Sequence, residues 1–207
     1  MDILVTAGAT RNPIDAIRYL SAQSSGKTGA SLASMIAERG GRVFVLGSPE
    51  ACLRMPNTVK MASFGDTRDL MAQMRDWVKA HPDGAVIHSA AVGDYEVMDA
   101  GRGKISSGKG ELVIRLTPTP KIANHVRSWG LRGAFVTFKA AAPDTDSEAL
   151  IAIARKQREV TGSTWVFANV LGRLEQELAI VGEQTHWFDT RVKALYGLVQ
   201  RLLPELD

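Results

Sequence analysis

The chain has 207 residues, 45% of them apolar and 23% charged, with a formal net charge of +3. That length is enough for one domain with a full core, and the balance excludes disordered, collagen-like and membrane-spanning classes, since no apolar run nears the roughly 20 residues a spanning helix needs. The N-terminus has no basic segment before its first, strand-length apolar run, so a secretory signal is not expected and the cytoplasm is the expected compartment.

Ile3 to Thr6 reads as the first strand. It runs into a long loop with small residues, hydroxyls, Arg18 and Lys27 that ends at a helix start, contents suited to a phosphorylated ligand. Gly29 to Arg39 places Leu32, Met35 and Ile36 on one helical face, and Gly40-Gly41 stops it. Arg42 to Leu46 is the second strand and Val59 to Phe64 a short third. Asp66 or Thr67 caps a helix whose Leu70, Met71, Met74 and Trp77 have core spacing. Ala85 to Val92, apolar on both faces, reads as a buried strand.

Gly93 to Gly110 breaks into a mobile loop rich in Gly, Ser and Lys. Beyond it come a strand at Glu111 to Leu116, a short helix at Pro120 to Trp129 and a strand at Ala134 to Phe138. Asp144 to Ser147 offer caps for a helix reaching about Val160, and Trp165 to Ala168 is the last parallel strand, ending at Asn169. Leu178 to Val181 and Thr185 to Phe188 form a hairpin around Gly182-Glu-Gln, and Thr190 to Leu203 is a closing helix. Alternating strands and helices predict an α/β fold with a parallel sheet, as a single domain over residues 1–207 without internal repeats.

Several chemistries fail on spacing. Gly26-Lys27-Thr28 suggests a P-loop, but position 21 is Ser and the preceding strand ends some twenty residues earlier. Gly8-Ala-Thr10 replaces the Gly-x-Gly-x-x-Gly that a dinucleotide site needs after its first strand. The four histidines, His81, His88, His125 and His186, lack metal-site spacing. The single Cys52 excludes an intrachain disulfide and has no nearby His to activate it. Basic residues are scattered, which disfavours nucleic acid as a partner and leaves room for a small anionic ligand. Asp94, Asn169 and Lys139 stand at or near the C-terminal ends of strands, where α/β proteins gather functional groups.

These landmarks together resemble the phosphopantothenoylcysteine synthetases, the phosphopantothenate–cysteine ligases of coenzyme A biosynthesis. The resemblance rests on Val5-Thr-Ala-Gly-Ala-Thr-Arg-Asn-Pro-Ile-Asp15, Ser24-Ser-Gly-Lys-Thr-Gly29, Ala90-Ala-Val-Gly-Asp-Tyr95, Lys104-Ile-Ser-Ser107 with Thr119-Pro-Lys-Ile122, and Phe138-Lys139 leading to Ala168-Asn169, in that order. The Lys-Ile-Ser-Ser, Thr-Pro-Lys-Ile and Phe-Lys stretches look closer to free-standing members than to those fused behind a flavin decarboxylase domain.

The resemblance implies a Rossmann-like, doubly wound, mostly parallel sheet with helices on both faces, a flap at 93–116, and a hairpin at 177–188 serving dimerisation. It implies a ligase that uses CTP or ATP with Mg²⁺ to activate the carboxylate of 4′-phosphopantothenate as an acyl-nucleotide, releasing pyrophosphate. The cysteine amine then forms the amide. Gly8, Ser24, Gly26, Gly29, Phe138, Lys139 and Asn169 match nucleotide-binding positions. Ala90, Ala91 and Asp94 match phosphopantothenate contacts, and Arg18 matches an arginine reaching the neighbouring subunit's substrate, which implies a homodimer. Lys104 matches a catalytic lysine of the flap. Ala22 departs from the family, which has Asn there contacting the pantothenate near its reacting carboxylate; an alanine methyl cannot hydrogen-bond. Ala9 in place of a second Gly and Ala141 in place of Glu are smaller departures. A divergent ligase for another carboxylate and amine, a non-catalytic nucleotide-binding protein and, more distantly, an NAD-dependent oxidoreductase are the alternatives.

Overall fold

The computed structural model describes residues 1–101, 103–106, 108 and 110–204. In chain order the elements are β1 Asp2–Ala7, a small ribbon of β2 Arg11–Pro13 and β3 Tyr19–Ser21, α1 Lys27–Glu38, β4 Arg42–Gly47, α2 Pro49–Cys52, β5 Lys60–Ser63, α3 Thr67–Ala80 and β6 Ala85–His88. A second ribbon, β7 Tyr95–Val97 with β8 Leu116–Pro118, precedes two single 3₁₀ turns, then β9 Phe135–Ala141, α4 Ser147–Thr161, β10 Trp165–Val170, β11 Leu178–Val181, β12 Thr185–Phe188 and α5 Arg191–Leu202.

Eight strands form one sheet in the order β12-β11-β10-β9-β6-β1-β4-β5. The six strands from β10 to β5 run parallel, while β11 and β12 add an antiparallel edge. After β5 the chain crosses back to lay β6 on the other side of β1, so the strand order reverses between β1 and β6. In doubly wound sheets that reversal opens the ligand crevice at the C-terminal strand ends.

Strand pleat parity assigns each apolar residue to a layer. Ile3, Val5, Val45, Ile87, Val136, Phe167 and Ile180 pack with Leu32 and Ile36 of α1 and Leu195, Leu198 and Val199 of α5. Leu4, Leu46, Val86 and Phe135, one position out of phase, pack on the other face with Leu70, Met74 and Val78 of α3. Each fully buried Leu or Ile contributes about 2 kcal/mol. Asp66, Asp146 and Thr190 cap α3, α4 and α5 by accepting first-turn amide N–H groups. Leu70 and Met74 are buried and Met71 and Trp77 pack beside them, as the helical spacing required.

The local expectations that changed did so for tertiary reasons. Pro120 to Trp129 is two 3₁₀ turns, Ile122–Asn124 and Arg127–Trp129, because Ile122 and Val126 anchor into the α3 layer and Gly130 turns the chain at φ 106°. Residues 111–115 form no strand: Leu112, Val113 and Ile114 stay exposed, and pairing with β7 begins at Leu116. The strand expected at Ala85 to Val92 ends at His88, with Ala91 continuing as an isolated bridge to Ala9. The loop after β1 contains the β2–β3 ribbon, and Cys52 closes the short α2, its thiol pKa pushed up by burial. No helix among the described residues is long and apolar enough to cross a membrane.

Candidate functional site

The β1–α1 connection builds an anion cradle. Gly8 has φ +86° and Gly26 φ +76°, both in the left-handed region that glycine alone enters without strain. A Cβ on Gly8 would lie 2.2 Å from Ser48 Oγ, and one on Gly26 would lie 2.4 Å from the Ala51 Cβ. Gly29 lets α1 press onto β1, since a Cβ there would meet the Ala7 Cβ at 2.4 Å. Gly26 caps α1 with no side-chain hydrogen bond and no acidic residue follows in the first turn, unlike α2 to α5, each capped by a side chain. The first-turn amides and the helix dipole therefore face the crevice open to a phosphate. Ser24 is half-buried two residues before this cap, and Ala22 is exposed.

Across the switch point, backbone bonds tie the end of β1 to the segment after β6. The Ala91 N–H donates to the Gly8 carbonyl at 2.8 Å and the Thr10 N–H to the Ala91 carbonyl at 3.1 Å. Thr10 Oγ1 accepts the Gly93 N–H, and the Asn12 carboxamide joins Thr67 to the Tyr95 carbonyl. Asp94 is exposed, and its carboxylate takes the Lys121 ammonium at 2.5 Å.

Between this segment and α4 lies a cleft of about 420 Å³ that includes Ala90, Asp94, Lys121, Lys139 and Lys156. Three ammonium groups against one carboxylate make it strongly electropositive, and its volume suits a heterocycle with attached phosphates. Its floor is polar but neutral: Thr137 is buried beside His88 across the β6–β9 pair, and Gln157 donates to Thr137 Oγ1 at 2.9 Å. A wider cavity of about 910 Å³ lies at the opposite end of the sheet, where Asp2 and Arg42 neutralise each other, away from the switch point.

Gly103 and Ile105 dock on the turn before β3. The Asp15 side chain is fully buried and accepts the N–H groups of Ile17 (2.9 Å), Arg18 (2.8 Å) and Ile105 (3.1 Å) and the Arg18 guanidinium (2.5 Å). These bonds, that from Ile17 foremost, hold its carboxyl below the usual carboxylate range. Arg18 also reaches the Ile105 carbonyl at 3.5 Å, and Gly103 accepts the Ala16 N–H. Lys104, between these two contacts, is exposed. Ser107 of the Lys-Ile-Ser-Ser segment lies outside the described residues.

The residues expected around one nucleotide thus divide between two faces. Phe138 stacks on Phe167 at 4.8 Å toward α1 and α5, and Asn169 shares that parity, 5% exposed with no hydrogen-bond partner for its carboxamide among the described residues. Lys139, one position out of phase, enters the lysine cleft with Ala90 and Asp94, and Phe138 also borders that cleft, where its carbonyl accepts the Gln157 amide N–H. Sequence reasoning missed Asp15, Lys121, Lys156 and Gln157, and set aside His88. Two of them stood inside quoted motifs without being singled out, Asp15 at the end of the first segment and Lys121 in Thr-Pro-Lys-Ile.

The family model of the DNA/pantothenate metabolism flavoprotein C-terminal domain matches residues 1–194. The chain is 37% identical over 184 residues to the coenzyme A biosynthesis bifunctional protein CoaBC of Thermococcus kodakarensis, covering 87% of this chain and 44% of that protein. The chain therefore spans less than half the length of that curated relative. Among solved structures, the DNA/pantothenate metabolism flavoprotein from Streptococcus pneumoniae superposes with a TM-score of 0.86 at 25% identity, covering 97% of both chains. A Cab2 variant in complex with phosphopantothenate-cysteine has the same fold, with a TM-score of 0.80 at 17% identity over 98% of this chain and 85% of that one. By the match over nearly its whole length, and in agreement with the synthetase resemblance read from its motifs, this chain belongs to the family of the DNA/pantothenate metabolism flavoprotein C-terminal domain.

Proposed function

We propose that this chain is a phosphopantothenate–cysteine ligase in which the acyl-nucleotide lies across the switch point between two anion-binding compartments. The carrying observation is their juxtaposition: the lysine cleft on one side and the uncapped α1 amino terminus on the other, joined over the Gly8–Ala91 backbone bridge. Three lysines and room for a heterocycle suit a nucleoside triphosphate, CTP or ATP, in the cleft. Gly8, Ser24, Gly26 and Gly29, matched by resemblance to a nucleotide, form a cradle for one phosphate group, and the 4′-phosphate of phosphopantothenate is the ligand we assign to it. Ala90 and Ala91 line the path between the compartments, with Phe138 and Asn169 on the α1 side.

In this reading a carboxylate oxygen of phosphopantothenate attacks the α-phosphorus, the bond to the bridging oxygen breaks, and pyrophosphate leaves. The cysteine amine then attacks the acyl carbon, loses a proton, and releases the nucleoside monophosphate. Lys104, carried by the flap, and Lys139 supply positive charge that offsets the negative charge developing on the α-phosphate oxygens. Among the described residues no cluster of three or more His, Cys, Asp or Glu groups is placed to hold a metal. Mg²⁺ suits a site where substrate phosphates provide most ligands and one carboxylate, here Asp94, assists.

A homodimer completes the proposal, with Arg18 reaching the partner's substrate. Exposed Ile17, Tyr19, Tyr95, Val113 and Leu116 gather on and near the two ribbons beside Arg18, a surface suited to self-association. The β11–β12 hairpin, with exposed Trp187, is the alternative contact expected from the sequence. The deciding assay mixes chain, Mg²⁺, phosphopantothenate and CTP or ATP, and follows pyrophosphate with and without cysteine. Cysteine-dependent turnover is expected; no pyrophosphate with either nucleotide would refute the ligase reading. Replacing Lys139 by Met should weaken nucleotide binding and leave phosphopantothenate binding unchanged, and the reverse pattern would exchange the two compartments.

A further inference from the structure

His88 is the most deeply buried ionisable group lining the lysine cleft, 7% exposed at the end of β6, and nothing in the ligase reading uses it. Its Nδ1 lies 2.9 Å from Thr6 Oγ1, and that hydroxyl oxygen accepts the Ala90 N–H at 3.0 Å. The Thr6 hydroxyl proton has no other acceptor among the described residues, so it is donated to Nδ1, and the imidazole carries its own proton on Nε2. Nε2 has no protein partner among the described residues. Gln157 is fixed in the complementary sense: its Nε2 donates to Thr137 Oγ1 at 2.9 Å and to the Phe138 carbonyl at 3.2 Å. A carbonyl oxygen can only accept, which sets the amide orientation and leaves Gln157 Oε1 as an acceptor without a protein partner among the described residues.

We propose that His88 Nε2–H and Gln157 Oε1 form a neutral donor–acceptor pair that binds the heterocyclic edge of the nucleotide, with His88 as a specificity-determining residue. The inference rests on the nucleotide occupying the lysine cleft as proposed above. A phosphate or carboxylate against this floor would meet the Gln157 oxygen, whereas a nucleobase edge presents an acceptor beside a donor and leaves its phosphates to Lys121, Lys139 and Lys156. Burial pushes the His88 pKa down to about 4, so the imidazole stays neutral at physiological pH.

The test is long-range ¹H–¹⁵N spectroscopy of the histidine rings in the ¹⁵N-labelled chain, with the His88 signals assigned by the His88→Gln variant. The expected result is an Nε2–H tautomer whose Nε2 resonance moves on adding CTP or ATP and not on adding phosphopantothenate alone. His88→Leu should raise the nucleotide Kd roughly tenfold with the phosphopantothenate Kd unchanged, and His88→Gln, which retains an N–H near Nε2, should recover most of the affinity. An Nδ1–H tautomer, a response to phosphopantothenate instead of nucleotide, or wild-type nucleotide affinity in His88→Leu would each overturn the inference. Nucleotide binding that leaves His88 silent removes this inference alone; failure of the wild-type chain to bind either nucleotide removes the ligase reading with it.

Discussion

The buried imidazole of His88 makes the stability of the chain depend on pH in a calculable way. Desolvation lowers its pKa from 6.5 to about 4 in the folded chain. Above pH 6.5 the ring is neutral folded or unfolded, and its neutrality costs nothing. As the pH falls the unfolded chain takes up the proton first, so stability declines between about pH 6.5 and 4 and levels off below. The full shift is worth about 3 kcal/mol, and about 2.5 kcal/mol of it is already lost at pH 4.5. Urea denaturation at pH 7.5 and 4.5 of the wild type and of His88→Gln isolates this contribution, because other titrating groups contribute to both chains. The wild type should lose about 2.5 kcal/mol more than the variant over that interval. Equal losses, to within about 0.5 kcal/mol, would show that His88 is solvated and would refute the neutral, tautomer-fixed ring.

Three further outcomes are expected. Gly26→Ala combines a left-handed backbone with a 2.4 Å approach to the Ala51 Cβ, and should cost about 2–4 kcal/mol in urea melts and weaken phosphopantothenate binding in calorimetry. Ala22→Asn, at an exposed position, should leave stability within about 0.5 kcal/mol and raise the rate of pyrophosphate release roughly tenfold or more by restoring an oriented amide; an unchanged rate would remove position 22 from the site. For the shared site, mixing Arg18→Ala with Asp94→Ala chains should restore about a quarter of wild-type turnover, since half the dimers are mixed and each has one complete site. No recovery would place Arg18 in its own subunit's site, in keeping with its bond to Asp15.

Much of the fold was legible because its signals are local. The 3.6-residue spacing of Leu32 and Ile36, the caps at Asp66, Asp146 and Thr190, and the turn between Val181 and Thr185 each depend on residues a few positions apart. Local patterning failed where a partner was needed. Leu112, Val113 and Ile114 have strand-like composition and no strand to pair with among the described residues, and the three-residue strands at Arg11–Pro13 and Tyr19–Ser21 are too short to show a period.

The sequence by itself determined the strand–helix alternation, the glycines of the first loop and the family motifs, Ala22 included. The tertiary structure decided which of these motifs face one another. Phe138 and Lys139 are neighbours in sequence, yet pleat parity points their side chains in opposite directions, the Phe138 ring onto Phe167 and Lys139 into the cleft that Phe138 also borders. Lys139 was legible as a strand-end group, but Lys121 and Lys156 join it only because the order β9-β6-β1 and the packing of α4 bring all three around one cleft. His88 and Thr6 are 82 residues apart, and only the β1–β6 pairing at the switch point gives the imidazole its hydroxyl partner and fixes where its proton sits.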